Sequence, residues 1–466
     1  MQDGFLRAAA ASIPVAVADP RRNAAACCAR IDQAHRARAA LLVLPELCVT
    51  GYTCGDLFLS ALLLDAAEEA LLNICAHTQN CDPVVVLGVP LRAGGKLYNC
   101  AASARGLCGY VYANAGPDES SARAVFSAHH LIAENGDILA EHAPFAPEPG
   151  LLVTELDLLT LSAERRRNTT FVPEGAGAHA VPFSMPLRPT PLSRAVSPHP
   201  FVPDDAALRR KRAELLLSIQ AHGLRKRLLH TGSRAALLPV TDDLDSVLAL
   251  LVCARTMDLL GRARHDVLAV TQPGGDRARV LRLCKALGVS VRPNADRAGL
   301  ARTHAALPLA APDFTALLLG EAVCAPEAYG VNAAVPRTLV RWLIAAEAER
   351  AEKPLRAELR AALSAPDADC AGVSCALTDF CFYHLVRCGA HPRRILRLAR
   401  AAFGDAAADA DILRAMAALT RCLFRRPAAL PDHVALGSSA QALHWPPDAA
   451  GSLWSEEIDA LRRELP

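Results

Sequence analysis

Lysine is scarce in this 466-residue chain: five lysines (Lys96, Lys211, Lys226, Lys285 and Lys353) leave nearly all of the basic charge to arginine. Aromatic residues are also few, at 5%. No apolar run approaches the roughly 18 residues that would span a bilayer. An excess of charge of one sign is missing too: the formal net charge is +2, so neither nucleic acid nor an anionic membrane surface is expected as a partner. Sixteen cysteines are present, but there is no Cys-x-x-Cys pair and the spacing is irregular. Several, such as Cys48, Cys253, Cys284 and Cys381, lie inside apolar stretches. Free, buried thiols are the expectation, not a disulfide framework. The first 19 residues carry Asp3 and Arg7 and lack a leucine-rich core, so a cytoplasmic location is expected.

What is present is a large apolar inventory, 52% of residues, with 21% charged. That is enough for two or three domains with proper cores, and it excludes a disordered chain, a collagen or a coiled coil. Residues 1–171 alternate short apolar runs with helical stretches: 13–18, a helix near 23–39, 41–44, a helix near 57–77, then 84–89. This reads as a layered α/β domain. Asn135-Gly136 between apolar runs predicts a hairpin. Residues 172–203 are proline-rich and read as a linker. In residues 204–466, Asp204-Asp205 opens a helix running to about His230, whose basic stretch 209–212 reads as a solvated face. Strand 235–240, helix 244–260, strand 267–271, helix 277–287 and a strand near 289–292 follow. That order predicts a doubly wound parallel sheet, with its crevice at the carboxyl ends of the strands and a mainly helical remainder.

Two constellations could carry chemistry. Glu46 follows the buried strand 41–44 and Pro45, where a carboxylate can act as a general base or simply face water. The loop Pro239-Val240-Thr241-Asp242-Asp243-Leu244-Asp245-Ser246 joins a strand to a helix. Such loops hold phosphate when glycines let backbone N–H groups approach it. Here aspartates stand in that place, and they can equally cap the helix.

The stretches 44–58 (LPELCVTGYTCGDLF), 97–102, 109–117, 131–136, 199–203, 330–341 (GVNAAVPRTLVR) and 430–432 together resemble the glutamine-dependent NAD⁺ synthetases. In that family a nitrilase-like glutaminase, an α-β-β-α sandwich, is fused to a Rossmann-like ATP-pyrophosphatase domain of the adenine nucleotide alpha hydrolase type. The resemblance implies ATP and Mg²⁺ as cofactors, and glutamine, ATP and deamido-NAD⁺ as substrates. It also implies self-association. Glu46 matches the glutaminase base. Its lysine and cysteine partners have no counterpart: no lysine lies between Leu97 and Arg210, and Cys100 and Cys108 match non-catalytic positions. Without a cation beside a thiolate, amide hydrolysis through a thioester loses its supports.

The synthetase half departs as well. The family's Ser-Gly-Gly-Leu-Asp-Ser loop reads Thr241-Asp242-Asp243-Leu244-Asp245-Ser246. Two carboxylates ~5 Å from phosphate, at an effective dielectric near 20, cost about 3 kcal/mol each. Together they would weaken nucleotide binding roughly 10⁴-fold. By resemblance Asp245 would face the metal, and Glu327, Asn332, Arg337 and Asp379 would lie on the deamido-NAD⁺ side. The stretch between Ala301 and Gly330 is shortened, Pro326 replaces a glutamate, Arg337 replaces a lysine, and Ala435 falls near a third lost position. Three readings stand: a working NAD⁺ synthetase, an ammonia-fed synthetase without glutaminase, and a non-catalytic paralogue. The last keeps scaffold and oligomer surfaces, alone or with an intact synthetase, and is the reading these residues favour.

Overall fold

The computed structural model describes residues 4–79, 81–93, 96–99, 108–121, 124–146, 150–167, 190–271, 276–365, 369–370, 372–425, 431–434, 436 and 449–465. Its contacts divide the chain into two units, Met1–Ala195 and Val196–Pro466. The division falls inside the stretch read as a linker, of which residues 172–189 lie outside the described residues, as do Cys100 and Ala435.

The first unit contains β1 (Phe5–Ala10), α1 (Pro20–Arg36), β2 (Leu41–Val43), α2 (Ala61–Thr78), β3 (Val84–Val86), β4 (Pro90–Ala93) and β5 (Lys96–Asn99). It continues with β6 (Gly109–Tyr112), β7 (Leu131–Glu134), β8 (Asp137–Glu141), β9 (Leu152–Asp157) and α3 (Leu158–Arg167). One sheet has the order β3-β2-β1-β9, parallel except for β9; β6-β7-β8 form a second, antiparallel sheet. Alternation along β1 explains the layering. Ala9 packs with Cys27 and Ile31 of α1 and Ile74 of α2, while Ala8 and Ala10 pack with Ile132, Leu152 and Leu156 between the sheets. Among the described residues these elements make up an α-β-β part of the sandwich. On the far face of the second sheet Tyr110, Tyr112 and Ile138 are exposed.

One local expectation needs correction. The first strand is Phe5–Ala10, not residues 13–18. The latter run as a loop because the buried Asn23 side chain bonds the N–H and carbonyl of Ala16 and the carbonyl of Val49, replacing a strand ladder. Strand β9 carries two buried acids: Glu155 accepts from Ser193 and Arg194 and pairs with Arg7 at 3.2 Å. The Asn135-Gly136 hairpin is present, with both residues at positive φ (52° and 92°), as the tight turn requires.

The second unit opens with α4 (Ala206–Thr231), capped by Asp205, and then β10 (Ala235–Val240), α5 (Leu244–Leu260), β11 (Val267–Thr271), α6 (Arg277–Leu287) and β12 (Ser290–Pro293). Next come α7 (Arg297–Thr303), β13 (Ala306–Ala310), α8 (Phe314–Leu319), β14 (Tyr329–Gly330), α9 (Arg337–Arg350) and α10 (Lys353–Leu363). The short hairpin β15 (Asp369–Cys370) and β16 (Val373–Ser374) leads to α11 (Cys375–Phe382), α12 (Pro392–Phe403), α13 (Asp409–Arg425) and α14 (Ser452–Glu464). The sheet order β12-β11-β10-β13-β14 is parallel throughout. Strand order therefore reverses between β10 and β13, and the crevice opens where their carboxyl ends diverge. Aspartate caps the start and glycine the end of α5-type segments: Asp243 and Gly261, Asp276 and Gly288, Asp313 and Gly320. Among the cysteines, Cys370 and Cys375 are disulfide-bonded across the β15–β16 hairpin, a departure from the expectation of free thiols, whereas Cys48, Cys253, Cys284 and Cys381 are buried and free. No described helix is long and apolar enough to cross a membrane.

Candidate nucleotide site

A cavity of about 900 Å³ opens at the switch point between β10 and β13 in the parallel sheet of the second unit. Thr241, Asp243, Asp245 and Ser246 line one wall; Ala310, Pro312, Glu327 and Arg337 contribute to the others. Its volume suits a ligand of nucleotide size. Pro239 also lines it, from β10, and Asp369 and Cys370 close one rim.

The loop after β10 turns two of its backbone donors onto its own side chains. The Thr241 N–H donates to Ser246 Oγ at 3.0 Å, and the Ser246 N–H donates to Asp243 Oδ1 at 2.7 Å. Asp243 is thus the cap of α5 and stays exposed at the cavity wall. Asp242 behaves differently from the expectation. Its side chain accepts from the Asp276 N–H at 2.9 Å and pairs with Arg279 at 3.5 Å, outside the cavity lining. Only one of the two carboxylates therefore opposes an anion there. Two of the loop's N–H groups, those of Thr241 and Ser246, are therefore taken by its own side chains, and the exposed Asp243 carboxylate opposes an anion there.

Asp245 projects from the first turn of α5 and is buried. Its Oδ2 accepts from the Asp313 N–H at 3.0 Å and lies 3.5 Å from the Arg337 guanidinium, which also pairs with Asp313. Burial, with the nearby Asp313, pushes the Asp245 carboxyl well above the usual range, and Arg337 opposes that shift. Burial likewise pushes Asp313 up. For Arg337, burial works against the charge, but Asp313 and Asp245 outweigh it and hold the guanidinium protonated. Mg²⁺ needs several oxygen ligands in near-octahedral order. In this cluster one carboxylate oxygen, Asp245 Oδ1, has no hydrogen-bond partner, and the cationic position is filled by Arg337. These residues do not suit a resident Mg²⁺.

Asn332 and Asp379 lie behind the cavity and do not line it. The Asn332 amide donates to the carbonyls of Asp245 and Ala311, both at 2.8 Å, so it pins the start of α5 to the end of β13. Asp379 accepts from Thr315 Oγ1, the Thr338 N–H and Thr338 Oγ1, serving as a remote cap for α9. Burial pushes its carboxyl up to about 6, against those hydrogen bonds. Leu244 and Val240 are packing residues of α5 and β10. Asp313, Thr315, Thr338 and Arg279 were not foreseen. A capping aspartate before the apolar run 314–319 was a usable signal for Asp313 only.

In the first unit Glu46 is exposed on the loop after β2. Gly88 passes so close that a Cβ there would lie 2.1 Å from the Leu47 nitrogen. The same loop continues into residues 50–55, which are held by Glu119: it accepts from the N–H groups of Tyr52 (2.6 Å) and Thr53 (3.1 Å). The thiols of this loop face inward, Cys48 toward the Gly88 carbonyl and Cys54 toward the Thr50 carbonyl. Cys108 sits at the start of β6, in the second sheet.

Residues 7–103 match the carbon-nitrogen hydrolase family. The chain is 26% identical to a glutamine-dependent NAD(+) synthetase of Mycobacterium leprae (strain TN), over 86% of each chain. It is 25% identical to one of Mycobacterium tuberculosis (strain ATCC 25618 / H37Rv), over 87% of each. The first of these comparisons spans 586 positions, more than the 466 residues of this chain, so the chain lacks internal segments that the relative has. A solved glutamine-dependent NAD(+) synthetase from Cytophaga hutchinsonii aligns over 98% of this chain and all of its own, with a TM-score of 0.41 and 14% identity.

Proposed function

From the premise that this chain is a shortened, divergent relative of the glutamine-dependent NAD(+) synthetases, we propose that it is a catalytically degenerate member: a protein of NAD biosynthesis that keeps the ligase scaffold and performs neither half-reaction. One observation carries the reading. At the switch-point crevice, key donors and charges are engaged from within: Asp243 takes the Ser246 N–H, Ser246 takes the Thr241 N–H, and Arg337 pairs with Asp245 and Asp313. An oxyanion or metal entering this crevice would have to displace intramolecular partners before gaining anything.

The glutaminase half points the same way. Glu46 remains, but no lysine occurs between Lys96 and Lys211 to pair with it, and Cys100 and Cys108 match non-catalytic positions. What survives is a pair of folded units, and the role that fits them is assembly in the cytoplasm, with copies of this chain or with an intact synthetase.

The test combines calorimetry and turnover. ATP and deamido-NAD⁺ at millimolar concentration, with Mg²⁺, are expected to give no binding heat and no NAD⁺ with either glutamine or ammonium. NAD⁺ formation above a protein-free blank refutes degeneracy. Light scattering is expected to report an oligomer; a strict monomer that captures no intact synthetase refutes the assembly role.

A further inference from the structure

The outer helical layer of the first unit carries a cluster that none of the chemistry above uses. On α1, Cys28 and Asp32 are one turn apart and so share a face. On α2 and the turn after it, His77 and Cys81 have the same spacing, and α1 packs on α2. His77 Nε2 lies 2.8 Å from Asp32 Oδ1, and one ligand atom from each of Asp32, His77 and Cys81 lies within 4.8 Å of the others. All four side chains are half-buried. We infer that Cys28, Asp32, His77 and Cys81 form a tetrahedral site for a borderline-soft divalent cation of the zinc class, joining α1 to the end of α2.

For Asp32, His77 and Cys81 the geometry is close to what such an ion requires. Zn²⁺ bonds of ~2.0–2.3 Å to nitrogen, oxygen and sulfur place neighbouring ligand atoms about 3.4–3.8 Å apart. The Asp32–His77 contact has to open by about half an ångström and the Cys81 sulfur has to close in, both side-chain rotations. Cys81 is poised for that movement, since its thiol at present only meets the His77 carbonyl at 3.8 Å. Cys28 lies outside that group of three, but one turn before Asp32 on the same face of α1, so a side-chain rotation has to bring its sulfur in as the fourth ligand. A dication binding here takes both sulfurs as thiolates, and two protons leave. The mixture of two sulfurs, one imidazole and one carboxylate selects zinc over the hard cations. A support for the backbone is already built, because the Asp82 N–H donates to His35 Nδ1 at 3.2 Å and the Asp82 carboxylate lies 3.6 Å from the same ring. Cys81 and Asp82 lead directly into β3, so an ion here would pin the edge strand of the first sheet.

The experiment uses the full chain, stripped with a chelator and kept reduced with a non-thiol reagent, and titrated with Co²⁺ as the probe. One equivalent is expected to bind with thiolate charge-transfer absorption and intense tetrahedral visible bands, and Zn²⁺ is expected to displace it. Loss of an outer-sphere partner costs 10–100-fold in affinity, so Cys28→Ser, Cys81→Ser or His77→Ala, which remove ligands, are each expected to cost at least about 100-fold. Cys75→Ser, an exposed thiol on the same helix, is expected to change nothing. Circular dichroism checks that the variants fold. Absence of a stoichiometric Co²⁺ or Zn²⁺ complex in the wild-type chain overturns the inference. So does undiminished binding by the Cys28→Ser or Cys81→Ser variant.

Discussion

Removing the Arg337 side chain leaves two buried carboxylates without the cation that faces them. Asp245 and Asp313 are both buried, both lean on this guanidinium, and Asp245 already keeps one oxygen without a hydrogen-bond partner. Breaking a buried ion pair by deleting one partner costs about 3–5 kcal/mol. At roughly 2–4 °C per kcal/mol for a unit of this size, Arg337→Ala is expected to melt about 6–20 °C lower at pH 8. The loss depends on pH in a definite sense. Burial raises both carboxyl groups above their unfolded value of about 3.9, and without Arg337 they rise further. A group whose folded pKa is raised holds its proton better in the native state, so its contribution is present in acid and lost as pH climbs through the folded value. The variant's deficit is therefore smaller at pH 5 than at pH 8. Arg337→Lys keeps the charge but not the two-pronged fork, and is expected to fall between wild type and Arg337→Ala. Scanning calorimetry at the two pH values decides the matter. A drop of less than about 3 °C at pH 8, or an equal drop at both, refutes the idea that Arg337 neutralises this pair.

Three further outcomes follow from particular contacts. Asp243→Gly is expected to strengthen ATP binding about 10²-fold, by removing about 3 kcal/mol of repulsion and freeing the Ser246 N–H, whereas Asp242→Gly is expected to change it little because that side chain is turned to Arg279. Equal gains from the two, read by calorimetry, contradict this assignment. The purified protein is expected to release no ammonia from glutamine and to resist labelling by a glutamine-analogue electrophile at Cys100 and Cys108; stoichiometric labelling of either refutes the account of the first unit. Gly88→Ala would drive a methyl group to 2.1 Å from the Leu47 nitrogen and 2.6 Å from the Glu46 carbonyl carbon, so the first unit is expected to lose protease resistance. Wild-type resistance in that variant would show that the loop yields cheaply.

Where strands are buried on both faces, their sequence is a continuous apolar run with caps at either side, and such segments announce themselves. Strands β10 and β11, helices α5 and α6, and the Asp205 start of α4 all lie within a residue or two of their expected places. The first unit was harder, because Ala8, Ala9 and Ala10 make a strand from residues with little strand preference: only small side chains fit between a helical layer and a second sheet. Strand β9 hid behind its acids, since Glu155 reads as exposed until Arg7, Ser193 and Arg194 are brought to it. At the crevice the residue types were legible and their directions were not. Asp242 and Asp243 are neighbours in the chain, yet one turns to Arg279, 37 residues on, while the other caps its own helix. Asn332 and Asp379 were grouped with the crevice by resemblance, whereas their hydrogen bonds place them behind its wall. The metal-type cluster on α1 and α2 was overlooked for a related reason: two four-residue spacings 45 residues apart carry no signal until the helices pack.

The guanidinium held between Asp245 and Asp313 also sets how this crevice responds to its surroundings. A dissolved cation comes and goes with its concentration, and a site built around one is filled or empty as the solution changes. A cation on a rigid helix of the same chain is always there, at an effective concentration far above the millimolar range of short flexible tethers. Ions that would compete for these two carboxylates meet an occupant that never dissociates from the protein. The charge facing this carboxylate pair is then fixed by the chain itself rather than by the supply of ions.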